Sequence, residues 1–533
     1  MIMNSTSSFK GAIKQKHRGF KLISLELSNF PFFGDITYKF VDSHDKQDKI
    51  YTTVLIGPNG TRKSFLFNLI IYIFKCVVDI LSQKQIDYKR FGGGIFHLVY
   101  SLDNRVYEIA RIYSKNENGS EKYHYAFKVD GKKAIVSEIL LPQTIIGNSV
   151  NITDKFPVFK ENEFPQFQYL GIKYNAQSAS TKSFIKKTID YVSKMCYSEP
   201  FLQSLGQLLN DFVAEGKTIR ISYKTTNHKK FFNGDLNTKV LDDFFTDIEM
   251  RYREKQKIPP FKLNAYNSLK KSDSMLHELI KYCNTLAVKD EFQRMNGASN
   301  RIIKFNLTQR DDLEKLKLNG AILNNLYSIG LLVDPKIEII GGTEGEYSLE
   351  DSSSGEHNIL TSLIGIIATM KPNSLLMIDE PEISLHPNWQ MKYVSFLKRV
   401  LSSENYSTSH ILIATHSHFI ISDLEGNSSK IIGLSKENNL SIIPLDPHLD
   451  TFSWSAEEVL LKIFQVASSR NYFIAENLGL MLDFISDPKS DDESIKEKYF
   501  DLQLDKISGL TDNDPLKTVL NKIKLEYVSK GLK

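Results

Sequence analysis

Alternation between apolar and polar residues is the first legible signal in this chain. Ile23, Leu25 and Leu27 alternate with Ser24, Glu26 and Ser28, the period-two pattern of a half-buried strand. ITYKF, ending at Phe40, reads as a second short strand, and the β-rich YTTVLI, Tyr51 to Ile56, runs straight into GPNGTRKS, Gly57 to Ser64. The run that follows, FLFNLIIYIFKCVVDIL from Phe65 to Leu81, is apolar on nearly every side. Such a helix is buried, and with Lys75 and Asp79 inside it, it is too short and too interrupted to be expected across a bilayer. IFHLVYSL, RVYEIARIY and KYHYAFKV, separated by polar turns, predict an antiparallel meander, and TIIGNSV near Thr144 adds one more strand.

From about Ser183 to Gln309 the strand signals thin out and helical periodicity dominates, as in FLQSLGQLLNDFV and SMLHELIKYCNTL. No heptads are sustained, so a compact helical insertion is expected and not a long coiled coil. After Gly341 the α/β texture returns, with two buried-strand runs: SLLMIDE, ending at Glu380, and HILIATHS, ending at Ser417. The remainder reads as helical. The expected organisation is therefore an N-terminal α/β half over 1–182, a helical insertion over 183–335, a C-terminal α/β half over 336–447 and a helical tail over 448–533.

Composition narrows the functional classes. The chain has 533 residues, 41% hydrophobic and 24% charged, with a formal net charge of +4, so any nucleic-acid surface must be local. The insertion is where it would lie: about 25 Lys and Arg stand there against about 17 acidic residues between 181 and 320. NHKKFF (Asn227 to Phe232) and RYREKQK (Arg251 to Lys257) interleave basic and aromatic residues, as a strand-binding surface or simply a solvated face would. Cys76, Cys196 and Cys283 make neither a metal spacing nor a disulfide framework, and no signal-peptide core opens the chain. A cytoplasmic protein without a membrane segment is expected.

Four elements carry candidate chemistry. A glycine loop between a strand and a helix can wrap phosphates with backbone N–H groups. In GPNGTRKS, Gly57 and Gly60 would allow the tight path, Lys63 would reach the outer phosphates of ATP and Ser64 would hold Mg²⁺. Asp379 and Glu380 end a fully apolar strand; the first could bind Mg²⁺ and the second could orient or deprotonate a water, or both could cap the loop begun by Pro381. Ser353, Ser354, Gly355 and Glu356, in DSSSGEHN, offer either an anion site or a serine-rich helix cap. His416 ends the next apolar strand, where it could hydrogen-bond a phosphate or be structural.

The order and spacing of these elements resemble the ABC-type ATPase head of SMC-like proteins. In that family GPNGTRKS (Gly57, Pro58, Asn59, Gly60, Thr61, Arg62, Lys63, Ser64) is the Walker A loop and LLMIDE is Walker B. Residues 353–356 match the signature, His416 the switch histidine, and Ser384, Leu385 and His386 fall at the D-loop. The resemblance implies an α/β P-loop ATPase head with an antiparallel β lobe. Two heads would sandwich ATP, with Ser64 and Asp379 on Mg²⁺ and Glu380 and His416 catalytic. Gln143, Gln166 and Gln168 are the candidates for the Q-loop glutamine. More narrowly, DEPEISLHPNWQ, THSHFIISD and FSWSAEEVLLKIFQVASSRN look like the OLD-related ATPases of antiphage defence, most of all PtuA of Septu-like and retron-associated systems. That resemblance implies a homodimer or higher oligomer, an HNH nuclease partner and, in a retron, a reverse transcriptase with its RNA–DNA hybrid. Asp512-Asn513-Asp514 fits a nuclease D-x-D by letter but follows no apolar strand, so no nuclease site is expected in this chain.

Arg62 stands where a Walker A loop usually has glycine. A positive φ there would strain it. Three readings follow: the side chain points outward from the helix start, the guanidinium reaches a phosphate, or the site binds ATP and turns it over slowly.

Overall fold

The computed structural model describes residues 18–443, apart from 42–49, 85–90, 116–120, 161, 176–177, 180, 214, 227, 254–259, 289–292, 295–300, 342–344, 403, 422–423, 426 and 437–439, together with 515–529. Its centre is a seven-stranded sheet in the order Leu440–Ile443, Ser429–Lys436, Tyr51–Ile56, His410–Thr415, Leu375–Asp379, Ile145–Ser149, Phe167–Gly171. All neighbours are parallel except the antiparallel pair formed by the first two strands. Strands buried on both faces need no polar side, and Tyr51–Ile56, Leu375–Asp379 and His410–Thr415 are buried at every position.

Alternate residues of these strands feed two cores. Leu55, Leu375, Met377, Leu412 and Ala414 face the long apolar helix Lys63–Leu81. Beyond that helix lies a six-stranded antiparallel sheet built from Phe20–Phe30, Gly34–Lys39 and the expected meander, Ile95–Leu102, Arg105–Lys115 and Glu121–Val129, closed by Lys132–Ala134. The helix is apolar on all sides because it is the middle layer between two sheets. By length and composition it could cross a membrane, yet it lies inside a protein core. Lys75 and Asp79, the two charges in its interior beyond Lys63, satisfy one another at 2.8 and 2.9 Å. Phe74 sits between the layers, its ring 6.3 Å from Phe20 and 5.4 Å from Tyr100.

The opposite face of the parallel sheet, with Val54, Ile56, Leu376, Ile378, Ile411 and Ile413, packs on the helices Ser354–Thr369, Thr181–Met195 and Pro387–Val400. The same core continues into the insertion, which departs from the all-helical expectation. Thr218–Thr225, Arg301–Asn306 and Leu332–Ile340 form the heart of a five-stranded antiparallel sheet flanked by helices. Their inward residues Ile219, Ile221, Tyr223, Ile303, Phe305, Ile337 and Ile339 do alternate. The intervening Arg220, Lys224, Lys304 and Lys336 disguised the pattern as a basic helical stretch. The boundary drawn at 335/336 falls inside the strand Leu332–Ile340. Of the expected helical tail, Pro515–Ser529 is a helix, and the rest lies outside the described residues.

Because buried Phe74 packs the helix onto Phe20 and Tyr100 of the antiparallel sheet, Phe74→Ala should destabilise the chain by about 3–5 kcal/mol. Urea unfolding checks this; a cost below about 1 kcal/mol would show that the packing of the helix on that sheet does not depend on Phe74.

Candidate functional site

Register assembles the site. Ile56 pairs with Thr415, and Asp379 pairs with Ala414 on one side and Ser149 on the other. Four parallel strands thus end together. The segments leaving their carboxyl ends, 57–64, 380–382, 416–417 and 150–154, emerge at one edge of the sheet, where ligands of open α/β sheets bind.

The glycine loop turns from strand to helix there. A Cβ at Gly57 would lie 2.3 Å from the Leu434 carbonyl oxygen of the neighbouring strand, so only glycine fits. Lys63 folds back over the loop. Its Nζ donates to the Gly57 carbonyl at 2.7 Å and the Pro58 carbonyl at 3.3 Å, contacts Thr61 Oγ1 at 3.2 Å and stands 3.3 Å from His416 Nδ1. Burial pulls its ammonium down to about 8, against the raising effect of Glu380, Glu382 and Asp379. Ser64 Oγ donates to Asp379 Oδ1 at 2.9 Å. Burial pushes the Asp379 carboxyl up to about 7, opposed by that hydrogen bond. A hydroxyl and a carboxylate at contact distance, the latter costly to ionise without a cation, are a fitting pair of oxygen donors for Mg²⁺.

Glu380 adopts φ 52°, a left-handed conformation costly for a residue with a Cβ, and its N–H donates to the Ala414 carbonyl at 2.8 Å. The strain aims its carboxylate at two partners. Oε1 lies 3.4 Å from His416 Nε2, and Oε2 accepts from Asn151 Nδ2 at 2.9 Å. The His416 hydrogen bond, with help from Asn151 and against burial, holds the Glu380 carboxyl below the usual range. Glu382 Oε1 accepts from the His416 N–H at 2.6 Å and fixes the end of that strand.

Asn151 is the site residue that sequence reasoning missed. Its side-chain oxygen accepts from the Thr153 N–H and hydroxyl, both at 2.9 Å, leaving the amide NH₂ for Glu380. The three glutamines considered for this role stand elsewhere. Gln143 and Gln166 belong to backbone bonds at the amino-terminal end of the sheet, and Gln168 accepts from the Tyr191 hydroxyl at 2.7 Å. The available signal was position: Asn151 lies two residues past the strand Ile145–Ser149, which pairs with Leu375–Asp379.

Ser353–Glu356 are not part of this cluster. Ser353 is the N-cap of Ser354–Thr369, in a reciprocal capping box with Glu356. Ser353 and Ser354 are exposed. A Cβ at Gly355 would meet the Ser384 carbonyl oxygen at 2.5 Å, so this turn packs on residues 384–386. Ser384 and His386 are exposed, Leu385 is buried, and Ser384 adopts φ 65°. The chain therefore carries two surfaces: 57–64 with 379, 380 and 416, and 353–356 with 384–386. In the insertion, Lys229 and Lys230 are exposed, but Phe231 and Phe232 are buried and cannot stack on bases. Asn227, 254–257 and Asp512–Asp514 lie outside the described residues.

Arg62 does adopt the glycine-like conformation, φ 64°, ψ 25°, as N-cap of the helix, with no side-chain capping bond. Its guanidinium lies over the Phe32 ring, 4.9 Å from the centroid. A cation–π contact of about 0.5–1 kcal/mol offsets a backbone cost of roughly 1–2 kcal/mol.

The chain matches the AAA ATPase domain family over residues 21–421 and belongs to that family. It is 24% identical over 215 residues to the Septu protein PtuA of Bacillus thuringiensis; the match spans 38% of this chain and about half, 52%, of that relative. To the retron Vc95 probable ATPase of Vibrio cholerae serotype O1 biovar El Tor it is 22% identical over 471 residues, covering 84% of this chain and 80% of the relative. Among solved structures, the SMC head domain from Thermotoga maritima aligns with a TM-score of 0.35 at 12% identity, over 80% of this chain and 99% of that one. The recombination mediator protein RecF aligns with a TM-score of 0.29 at 13% identity, over 80% and all of that chain.

Two measurements test this geometry. Gly at position 62 accepts φ 64° and Ala does not, so Arg62→Ala should be about 1 kcal/mol less stable than Arg62→Gly. Equal melting of the two would show that the strained conformation is not held. A carboxyl whose folded pKa is raised stabilises the fold fully below its unfolded value, 3.8 here, and that contribution is lost as pH rises through about 7. In chelator, wild type should lose about 2–4 kcal/mol relative to Asp379→Asn between those limits. Parallel pH–stability curves would contradict the buried, metal-free carboxylate.

Proposed function

We propose that this chain binds ATP with Mg²⁺ at the sheet edge formed by 57–64, 379–380, 151 and 416, and hydrolyses it between two copies of the head. The observation that carries the reading is the convergence of the Ser64–Asp379 bond with a Glu380 carboxylate gripped by both His416 and Asn151. Lys63 turns its ammonium from loop carbonyls to the outer phosphates as they arrive, and the loop N–H groups cradle them. Ser64 and Asp379 would hold the Mg²⁺, which supplies charge neutralisation on the phosphate oxygens when bound. Glu380, kept ionised by its two partners, accepts the proton of the attacking water. Asn151 fixes the carboxylate's direction. His416, between Lys63 and Glu380, hydrogen-bonds the γ-phosphate. The Ser353–Glu356 turn, exposed at Ser353 and Ser354 and with 384–386 beside it, offers a second head a helix N-terminus for the phosphates it holds.

Relatedness to the Septu and retron ATPases supports placing this activity in a cytoplasmic antiphage complex. There the head controls an HNH nuclease subunit and, in a retron, sits with a reverse transcriptase and its RNA–DNA hybrid. Arg62 motivates a second reading, in which the strained loop binds ATP and turns it over slowly, so that the head acts as a nucleotide-stabilised scaffold.

ATP turnover by the purified chain, with and without its co-encoded partner, separates these readings. Glu380→Gln should keep nucleotide and lose turnover by at least about 100-fold, with a smaller loss in Asn151→Ala. Turnover unchanged in Glu380→Gln would sink the catalytic assignment. Bound nucleotide without measurable turnover in wild type would favour the scaffold.

A further inference from the structure

Asp154 is a buried acid that the proposed hydrolysis does not use. It is 4% exposed and follows Asn151 in the segment that leaves the strand Ile145–Ser149. Both of its carboxylate oxygens are engaged. Oδ1 accepts from the Phe156 N–H and from Lys173 Nζ, each at 2.8 Å, and Oδ2 accepts from the Tyr169 hydroxyl at 2.8 Å. Lys173 Nζ also donates to the Asp154 carbonyl, so one lysine holds the side chain and the backbone of the same residue. Lys173 is itself fixed: its carbonyl accepts from Lys187 Nζ at 3.0 Å, and its N–H donates to the Tyr169 hydroxyl at 3.3 Å. That hydroxyl reaches Asp154 across Gly171, where a Cβ would meet it at 2.3 Å. Burial raises the Asp154 carboxyl, and the hydrogen bonds from Lys173 and Tyr169 oppose that. A carboxylate so enclosed depends on its partners.

We infer that Asp154, clamped by Lys173, is a positioning residue for the hydrolysis proposed above, holding the Asn151 amide against Glu380; the inference rests on that reading of the site. The connection is short. The Asp154 N–H donates to the Asn151 carbonyl at 3.3 Å, and Asn151 Oδ1 accepts from the Thr153 N–H and hydroxyl, so 151–154 forms one closed turn. At its near end the Asn151 N–H donates to Ser149 Oγ at 3.1 Å, and that hydroxyl donates to the Asp379 carbonyl at 3.2 Å. At its far end Asp154 is fastened by Lys173. Beyond the turn, Asn68 donates to the Lys155 carbonyl, and the Phe156 ring stacks on Phe67 at 6.1 Å, which seats the segment on the helix Lys63–Leu81. A carboxylate that must face an attacking water needs partners held to a fraction of an ångström. Without Lys173 the turn loses its far anchor, and the Asn151 amide drifts from Glu380 Oε2, which it now meets at 2.9 Å. A pair that served stability alone would alter melting and leave kcat untouched.

ATP turnover by the full chain tests the inference, at temperatures where thermal melts show each variant folded. Lys173→Met and Asp154→Ala should each lower kcat about tenfold and leave KM for ATP within about twofold. Tyr169→Phe keeps the ring and loses one bond to Asp154; it should lower kcat about threefold, and it serves where a harsher variant fails to fold. Lys173→Met/Asn151→Ala should be no slower than Asn151→Ala alone, because both changes remove the same interaction. Wild-type kcat in the folded variants, or losses that multiply in the double variant, would overturn the inference. Failure of the hydrolysis reading looks different: turnover is then absent in wild type or indifferent to Glu380→Gln. A crystal structure of nucleotide-free Lys173→Met decides the positioning without turnover. Asn151 Nδ2 should stand beyond about 3.5 Å from Glu380 Oε2, and a contact kept at 2.9 Å would overturn the role of the clamp.

Discussion

The in-register parallel pairing of the central strands is the constraint on which the rest of the structure depends. It brings Ile56, Ser149, Asp379 and Thr415 to one level, so four chain segments distant in sequence leave the sheet side by side. A slip of one residue in the strand Leu375–Asp379 would exchange its two faces. Met377, which faces the helix Lys63–Leu81, would then face the other core, and Asp379 would be carried away from Ser64. Apolar burial and chemistry are therefore fixed by one alignment. The burial that sets the register also makes the Asp379 charge expensive.

Strained backbone also occurs at the same edge. Arg62 and Glu380 both hold positive φ, and Ser384 does so on the neighbouring surface. Each is compensated by contacts of a different kind: a ring under the Arg62 guanidinium, two side-chain partners on the Glu380 carboxylate, and a tight backbone approach between Ser384 and Gly355. Residues in such conformations persist where their surroundings over-determine them. Here the surroundings are the ends of the buried strands.

Much of this was legible in the sequence because the relevant signals were local. YTTVLI followed by GPNGTRKS, the buried LLMIDE and the buried run HILIAT before His416 each announce their own element, and the meander could be read from its turns. The sheet of the insertion was hidden because long basic side chains occupy the outward positions of strands whose inward positions are Ile, Tyr and Phe. Arg220 is an example: it lies in a strand, bonded across to Glu338 and Glu346, where composition alone suggested a solvated basic surface. Asn151 was hidden for another reason. Its role depends on which strand pairs with Leu375–Asp379, a non-local fact that no window of residues contains. The pairing of Gly355 with Ser384 is of the same type, visible only once two turns are packed.

One small network links the two surfaces of the head. Ser417 Oγ donates to Gln390 Oε1 at 2.6 Å, and the same amide donates from Nε2 to the Leu385 carbonyl at 2.9 Å. The residue after His416 is thus tied through a single side chain to the turn that packs on Gly355. Thermodynamic linkage is reciprocal. Whatever factor a contact at residues 384–386 adds to the affinity of the sheet edge for its ligand, that ligand must return to the contact. Any such coupling that runs through this network passes through one side chain, Gln390, held at both ends of its amide.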